Sequence, residues 1–184
     1  MLFRSNVIGV KSGTVRTTAL QMDVNDPAND IARIAVVERH KATGRIGLGY
    51  VSGYGMKRGA IASTVAHDAH NIMVVGSRDG SGPSDMSVAI ARVAEIGGGQ
   101  VVVVDGKVVA EMALPVCGLI SDQPLEVVAG QVDKVVEAAH GIGITLDAPF
   151  MSLSFLGLSV IPDLRITDLG LIDVNKFAPI PVAV

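Results

Sequence analysis

Apolar and polar positions change rhythm several times along the chain, and each change marks an element. Partial alternation with β-branched residues runs through "VRTTALQM" (15–22) and "IARIAVVERH" (31–40), with the turn-rich "DVNDPAND" between them. Both stretches predict strands. "RIGLGYVSGYGMKRGA" carries five glycines, which predicts a backbone that bends sharply or comes close to another group. The apolar runs on either side of "HDAHN" (67–71) predict two more strands. After "GSRDGSGPSD", a loop by composition, Ser84 is placed to cap a helix with Met86, Ala89, Ile90 and Val93 on one face, stopped by Gly97–Gly99. "QVVVVDGKVVAEMAL" predicts a hairpin turning at Asp105-Gly106, a pair that tolerates positive φ. A second amphipathic helix follows. It has a cap at Ser121 or Asp122, an early proline, a stripe of Val128, Val132, Val135, Val136 and Ala139, and Gly141 at its end. A short helical turn is expected near 150–157, with strand or coil after it. The pattern predicts an α+β fold: mainly antiparallel strands with two amphipathic helices packed on them, in one domain over 1–184.

Composition narrows the function classes. With 184 residues and 49% hydrophobic residues the chain can fill a core. Its formal charge of −3, the absence of a basic run and the scarcity of aromatic residues (4 Phe, 2 Tyr) argue against nucleic-acid binding. No apolar stretch is long enough to span a bilayer, and the N-terminus lacks a secretion signal, so a cytoplasmic protein is expected. The single cysteine, Cys117, is expected to be a small core residue.

The candidate chemistry lies in "HDAHN". His67, Asp68, His70 and Asn71 interrupt an apolar, β-branched run, and such groups are costly to bury without partners. The spacing fails the metalloprotease pattern H-E-x-x-H, and the strand-like flanks do not suit a helical His-Asp dyad. Two readings stay open: a structural network whose members satisfy one another, and a polar cluster facing a bound molecule. Four polar side chains within five residues, at a break between strands, favour the second. The glycine-rich "GYGMKRGA" fits neither the P-loop nor the G-x-G-x-x-G spacing and is read as a bend, although Lys57 and Arg58 remain weak candidates for a ligand.

Longer runs carry more information. "GYGMKRGAIASTVAHDAHNIMVVG", "GGGQVVVVDGKVVAEMALPVCGLISDQP" and "PFMSLSFLGLSVIPDLRITDLGLIDV" resemble the C-terminal domain of microbial adenine deaminases, members of the amidohydrolase superfamily, over residues 6–175. The resemblance implies a parent enzyme that converts adenine and water to hypoxanthine and ammonia. It also implies a divalent metal (Mn, Fe or Zn) held in a (β/α)₈ barrel. Such a barrel takes about 250 residues. This chain is shorter, and its four histidines, His40, His67, His70 and His140, include no H-x-H pair. The chain alone is therefore expected to hold no metal and to be inactive. Its implied partners are adenine, the barrel and further copies of itself in a homo-oligomer. His67, Asp68, His70 and Asn71 are then expected to line the site or touch substrate, since such side chains match the mixed donors and acceptors of adenine. The alternative is an assembly module with a buried His/Asp/Asn network, supported by a mean hydropathy of +0.48 and by the apolar run "PFMSLSFLGLSVIP", expected at an interface. The loop "SRDGSGPSD" is longer than the family pattern.

Overall fold

The computed structural model describes residues 4–184. Strands β1 (Ser5–Gly9), β2 (Thr18–Met22), β3 (Ile31–Val37), β4 (Ile46–Ser52), β5 (Ala60–Ser63) and β6 (Ile72–Ser77) precede helix α1 (Gly82–Glu95). The hairpin β7 (Gly99–Val104) and β8 (Lys107–Ala113) leads into α2 (Leu125–Gly141) and the short α3 (Pro149–Phe155). The chain ends in β9 (Leu164–Thr167), β10 (Gly170–Asp173) and β11 (Ala178–Ile180). Eight strands form one sheet in the order β2-β1-β4-β3-β6-β5-β7-β8, and β9 to β11 form a second. In the large sheet only β1 and β4 run parallel.

The register sorts the side chains onto two faces. Ala35 lies opposite Leu48 and Val74, Val74 opposite Ala62, and Ala62 opposite Val101, so these share a face. Helix α1 covers its β5–β6–β7 half, burying Met86, Ala89 and Val93 against Ala60, Val74 and Val103. Each large side chain so buried contributes roughly 1.5–3 kcal/mol. On the β3–β4 half the same face stays open, with Ile46 and Leu48 exposed beside Met86 and Ile90 of α1. The opposite face carries the main core, where Ile34, Ile61, Met73 and Val102 meet α2, α3 and the second sheet.

The glycine-rich stretch begins as strand β4 and then bends as expected, with Gly53, Gly55 and Gly59 at positive φ. Gly47 and Gly49 take alternate positions of β4 facing the second sheet, and a Cβ on Gly47 would lie 1.9 Å from the carbonyl oxygen of Thr167. Glycine here allows a close approach between sheets, so its cost to the strand is offset by packing. Strand β1 was not predicted, because five residues between charged and polar neighbours give no periodic signal of their own. Both main helices start off the expected caps: α1 begins two residues before Ser84, after Ser81, and α2 begins after Pro124. The run at 149–162 is spent largely inside the domain, with Phe150, Leu153 and Leu156 in the main core and only Met151 and Val160 well exposed.

Candidate functional site: the loop between β5 and β6

The "HDAHN" loop sits at one end of the large sheet, where β5 turns back into β6, and its backbone is tied from several sides. Thr64 anchors the approach: its Oγ1 donates to the Gly118 carbonyl (2.6 Å) and accepts from Gly99 N–H (2.8 Å). His67 N–H donates to Ser154 O in α3 (3.1 Å), and His70 N–H donates back to Ala66 O (2.7 Å). His70, at φ +49°, accepts the Ala66 N–H on Nδ1 (3.3 Å), which selects the neutral ring protonated on Nε2.

The end of β3 supplies a clamp. Arg39 donates from Nε to His70 O (2.5 Å) and from Nη2 to Cys117 O (2.8 Å), while its own N–H reaches Asn71 Oδ1 (3.4 Å). His40 Nε2 meets Ala69 O at 2.7 Å. Gly118, at φ +74°, leaves room for this clamp, since a Cβ there would lie 2.8 Å from Arg39 Nη2. Behind it, the nearly buried Glu38 accepts His40 N–H, Lys41 N–H, Thr43 N–H and the Thr43 hydroxyl at 2.6–3.0 Å. These donors, Thr43 N–H foremost, hold its carboxyl down at about 2.

The four predicted residues therefore divide. His70 and Asn71 are used inside the loop. His67 packs its ring on Phe155, with centroids 4.6 Å apart and planes tilted by 53°, and its buried Nδ1 has no partner among the described residues. The hollow between His67, Asn71, Met73 and Gly157 holds only about 20 Å³, far below a purine. Asp68 is exposed, and no donor among the described residues reaches its carboxylate. Of the four, Asp68 is the only exposed one. The His70 ring is pushed below its ordinary range by burial first, then by His67 and Arg39, with Asp68 opposing. Among the described residues no three His, Cys, Asp or Glu side chains are grouped to hold a metal ion.

Lys57 and Arg58 lie elsewhere. Both are exposed and precede β5, while the loop follows it, so the four-residue strand separates them by about 13 Å at 3.3 Å per residue. Lys57 lines a different, polar hollow of about 420 Å³ with Asp30 and Arg78. Cys117 is not a core residue: it is exposed, at φ +57° in a turn, and its carbonyl is held by Arg39. Sequence reasoning missed Arg39, His40 and Glu38. Their one visible trace was "ERH" at the polar end of an apolar strand.

Fold and site together define an α+β domain with a locked polar loop that presents one carboxylate at a sheet end. The chain belongs to the family described as the adenine deaminase C-terminal domain, whose model matches residues 10–178. It is 49% identical over 182 residues to a protein named adenine deaminase from Desulfatibacillum aliphaticivorans, covering 95% of this chain and 31% of that protein. A Brucella anthropi adenine deaminase is 48% identical over 183 residues (95% and 32%), and one from Methanothrix thermoacetophila is 50% identical over 159 (86% and 27%). The chain thus spans about a third of the length of these curated relatives. No helix among the described residues is long and apolar enough to cross a membrane.

Proposed function

We propose that this domain serves a cytoplasmic, metal-dependent adenine deaminase, in which water replaces the 6-amino group of adenine and ammonia leaves. The divalent metal (Mn, Fe or Zn) and the attacking water belong to the barrel that the resemblance implies. The donor residues of this chain do not fit such a group, since no three His, Cys, Asp or Glu side chains are grouped among the described residues. What this domain supplies is a preformed wall: the 64–71 loop, clamped by Arg39, offers the Asp68 carboxylate and the outer edge of His67 toward the mouth of the site. A fixed acceptor of this kind can take the amino or ring N–H of a purine and help exclude water. The observation that carries the reading is the unshared Asp68 on a loop whose backbone is held on all sides. Exposed and unshared among the described residues, that carboxylate is available to a bound molecule.

The test is steady-state kinetics on a deaminase that contains both barrel and this domain. Asp68→Ala is expected to lower kcat/KM for adenine by a few-fold to a hundred-fold, the range for one hydrogen bond to a neutral or charged group, with metal content unchanged. Unchanged kinetics overturns the site role. By itself the 184-residue chain is expected to release no ammonia from adenine.

A second reading, an assembly module, is favoured by the open half of the α1 face. There Ile46 and Leu48 stand 54% and 61% exposed beside an apolar groove of about 500 Å³. Ile46 and Leu48 form part of the groove wall, so a twofold axis can pack this apolar face of one copy against the same face of another. Homo-oligomer formation through this face is compatible with the first reading.

A further inference from the structure

The largest unexplained charge in the fold is Arg165, in β9, whose side chain is fully buried (0% exposed). Buried guanidinium groups are normally paired with carboxylates. Here the hydrogen-bond partners are carbonyl oxygens: Ile161 (2.6 Å), Val15 (2.6 Å), Phe155 (3.1 Å) and Pro162 (3.3 Å). Burial draws its pKa down to about 10, so the group remains a cation at neutral pH. Carbonyl dipoles solvate that charge, and the nearby Asp163, which does not line the cavity, offsets only part of it.

Arg165 stands in the wall of a cavity of about 440 Å³ between the 13–17 loop and α3, a volume suited to a small organic ligand. Arg16 is exposed at its rim, and its side chain has no carboxylate partner among the described residues. Thr14 and Ser152 add hydroxyls, and Met151 and Phe155 an apolar floor. No Asp or Glu lines the cavity among the described residues. Arg165 also occupies the carbonyls of Val15 and Phe155, two lining residues whose oxygens would otherwise repel an anion. Two cations, two hydroxyls, an apolar floor and no carboxylate form one constellation.

The geometry points to a binding site for a small organic anion in this cavity, with the apolar body against Met151 and Phe155 and the oxyanion toward Arg16 under the field of Arg165. The site is separate from the 64–71 loop but touches it, because Phe155 also carries the His67 ring. It does not depend on the deaminase reading.

Amide and methyl NMR titration of the 184-residue chain tests it, with benzoate as anion, benzamide as its neutral counterpart and inorganic phosphate as an anion without an apolar body. Saturable benzoate shifts are expected at residues 13–17, Met151 and Ser152 and at the His67 ring, with benzamide clearly weaker. Phosphate saturating the same residues assigns the anion to the phosphate class, and benzoate alone assigns it to the carboxylates; both support an oxyanion site. Arg16→Gln, at an exposed position that leaves the fold intact, should weaken binding by up to about five-fold, the scale of an exposed charge contact. Ser152→Phe should fill the cavity and abolish binding. No saturable shift with either anion, equal binding of benzamide, or an unchanged affinity in Arg16→Gln overturns the proposal.

Discussion

Asp85 and Gly106, twenty-one residues apart, are joined by a hydrogen bond of 2.7 Å from the Gly106 N–H to a carboxylate that is wholly buried. The other oxygen of Asp85 accepts Asp105 N–H (3.1 Å) and the Ser81 hydroxyl (2.7 Å). One side chain in the first turn of α1 thus holds the β7–β8 turn. Asp85→Ala would remove the acceptor of three partly buried hydrogen bonds, at about 0.5–1.5 kcal/mol each. A marked fall in the urea unfolding midpoint is expected, and a wild-type midpoint would show that the turn holds itself.

Gly47 is the point of closest approach between the two sheets. With a backbone carbonyl 1.9 Å from any added Cβ, Gly47→Ala must push β9 and β10 away from β4, and overpacking of this kind costs about 1–3 kcal/mol. Thermal unfolding measures it. Gly13→Ala is the control on space, because nothing lies within 4 Å of that position, although its φ of +77° adds strain of its own.

His70→Ala should behave unlike Asp68→Ala. Removing His70 takes away the acceptor for Ala66 N–H and loosens the loop, so stability is expected to fall by about 1 kcal/mol. Asp68→Ala should leave the unfolding midpoint near that of the parent and alter only adenine kinetics in the barrel-containing enzyme. Unfolding and kinetics on the same preparations separate these outcomes.

Stability should fall in two steps on acidification. His70 titrates below its unfolded value of 6.5 in the folded protein, so the unfolded chain takes up the proton first. The His70 contribution is complete above 6.5 and is lost as pH falls through the lowered folded value. Glu38, held at about 2 against 4.5 unfolded, contributes fully above pH 4.5 and loses that contribution as pH falls toward 2. Urea midpoints against pH should show both limbs, with His70→Gln flattening the upper and Glu38→Gln the lower.

Leu48→Lys should reduce self-association without unfolding the domain, because Leu48 is 61% exposed in the native chain. Sedimentation over a concentration series gives the answer. A wild-type chain that stays monomeric throughout removes the homo-oligomer reading of this face.

Local chemistry made much of the fold legible. The alternation at 31–37, the Asp105-Gly106 turn, the stripes of α1 and α2 and the short helix at 149–155 are each encoded within a dozen residues, where periodicity and turn preference act. Strand β4 was legible only as a run of glycines, because the reason for them lies in Thr167, more than a hundred residues away. The candidate site divided in the same way. His67, Asp68, His70 and Asn71 stand out in sequence because they break an apolar run. Which of them are used internally depends on Arg39, Phe155 and Cys117, and no local pattern records those contacts.

By itself, then, the sequence determined that this is an α+β domain of the adenine deaminase C-terminal family, because hydrophobic period and long shared motifs are properties of neighbouring residues. Only the tertiary structure decided that Lys57 and Arg58 stand at the far end of β5 from the loop, that His70 is an internal acceptor while Asp68 is free, and that Arg165 is buried among carbonyls beside a cavity. Those are relations between segments distant in the chain, set by strand register and by close approach of backbones.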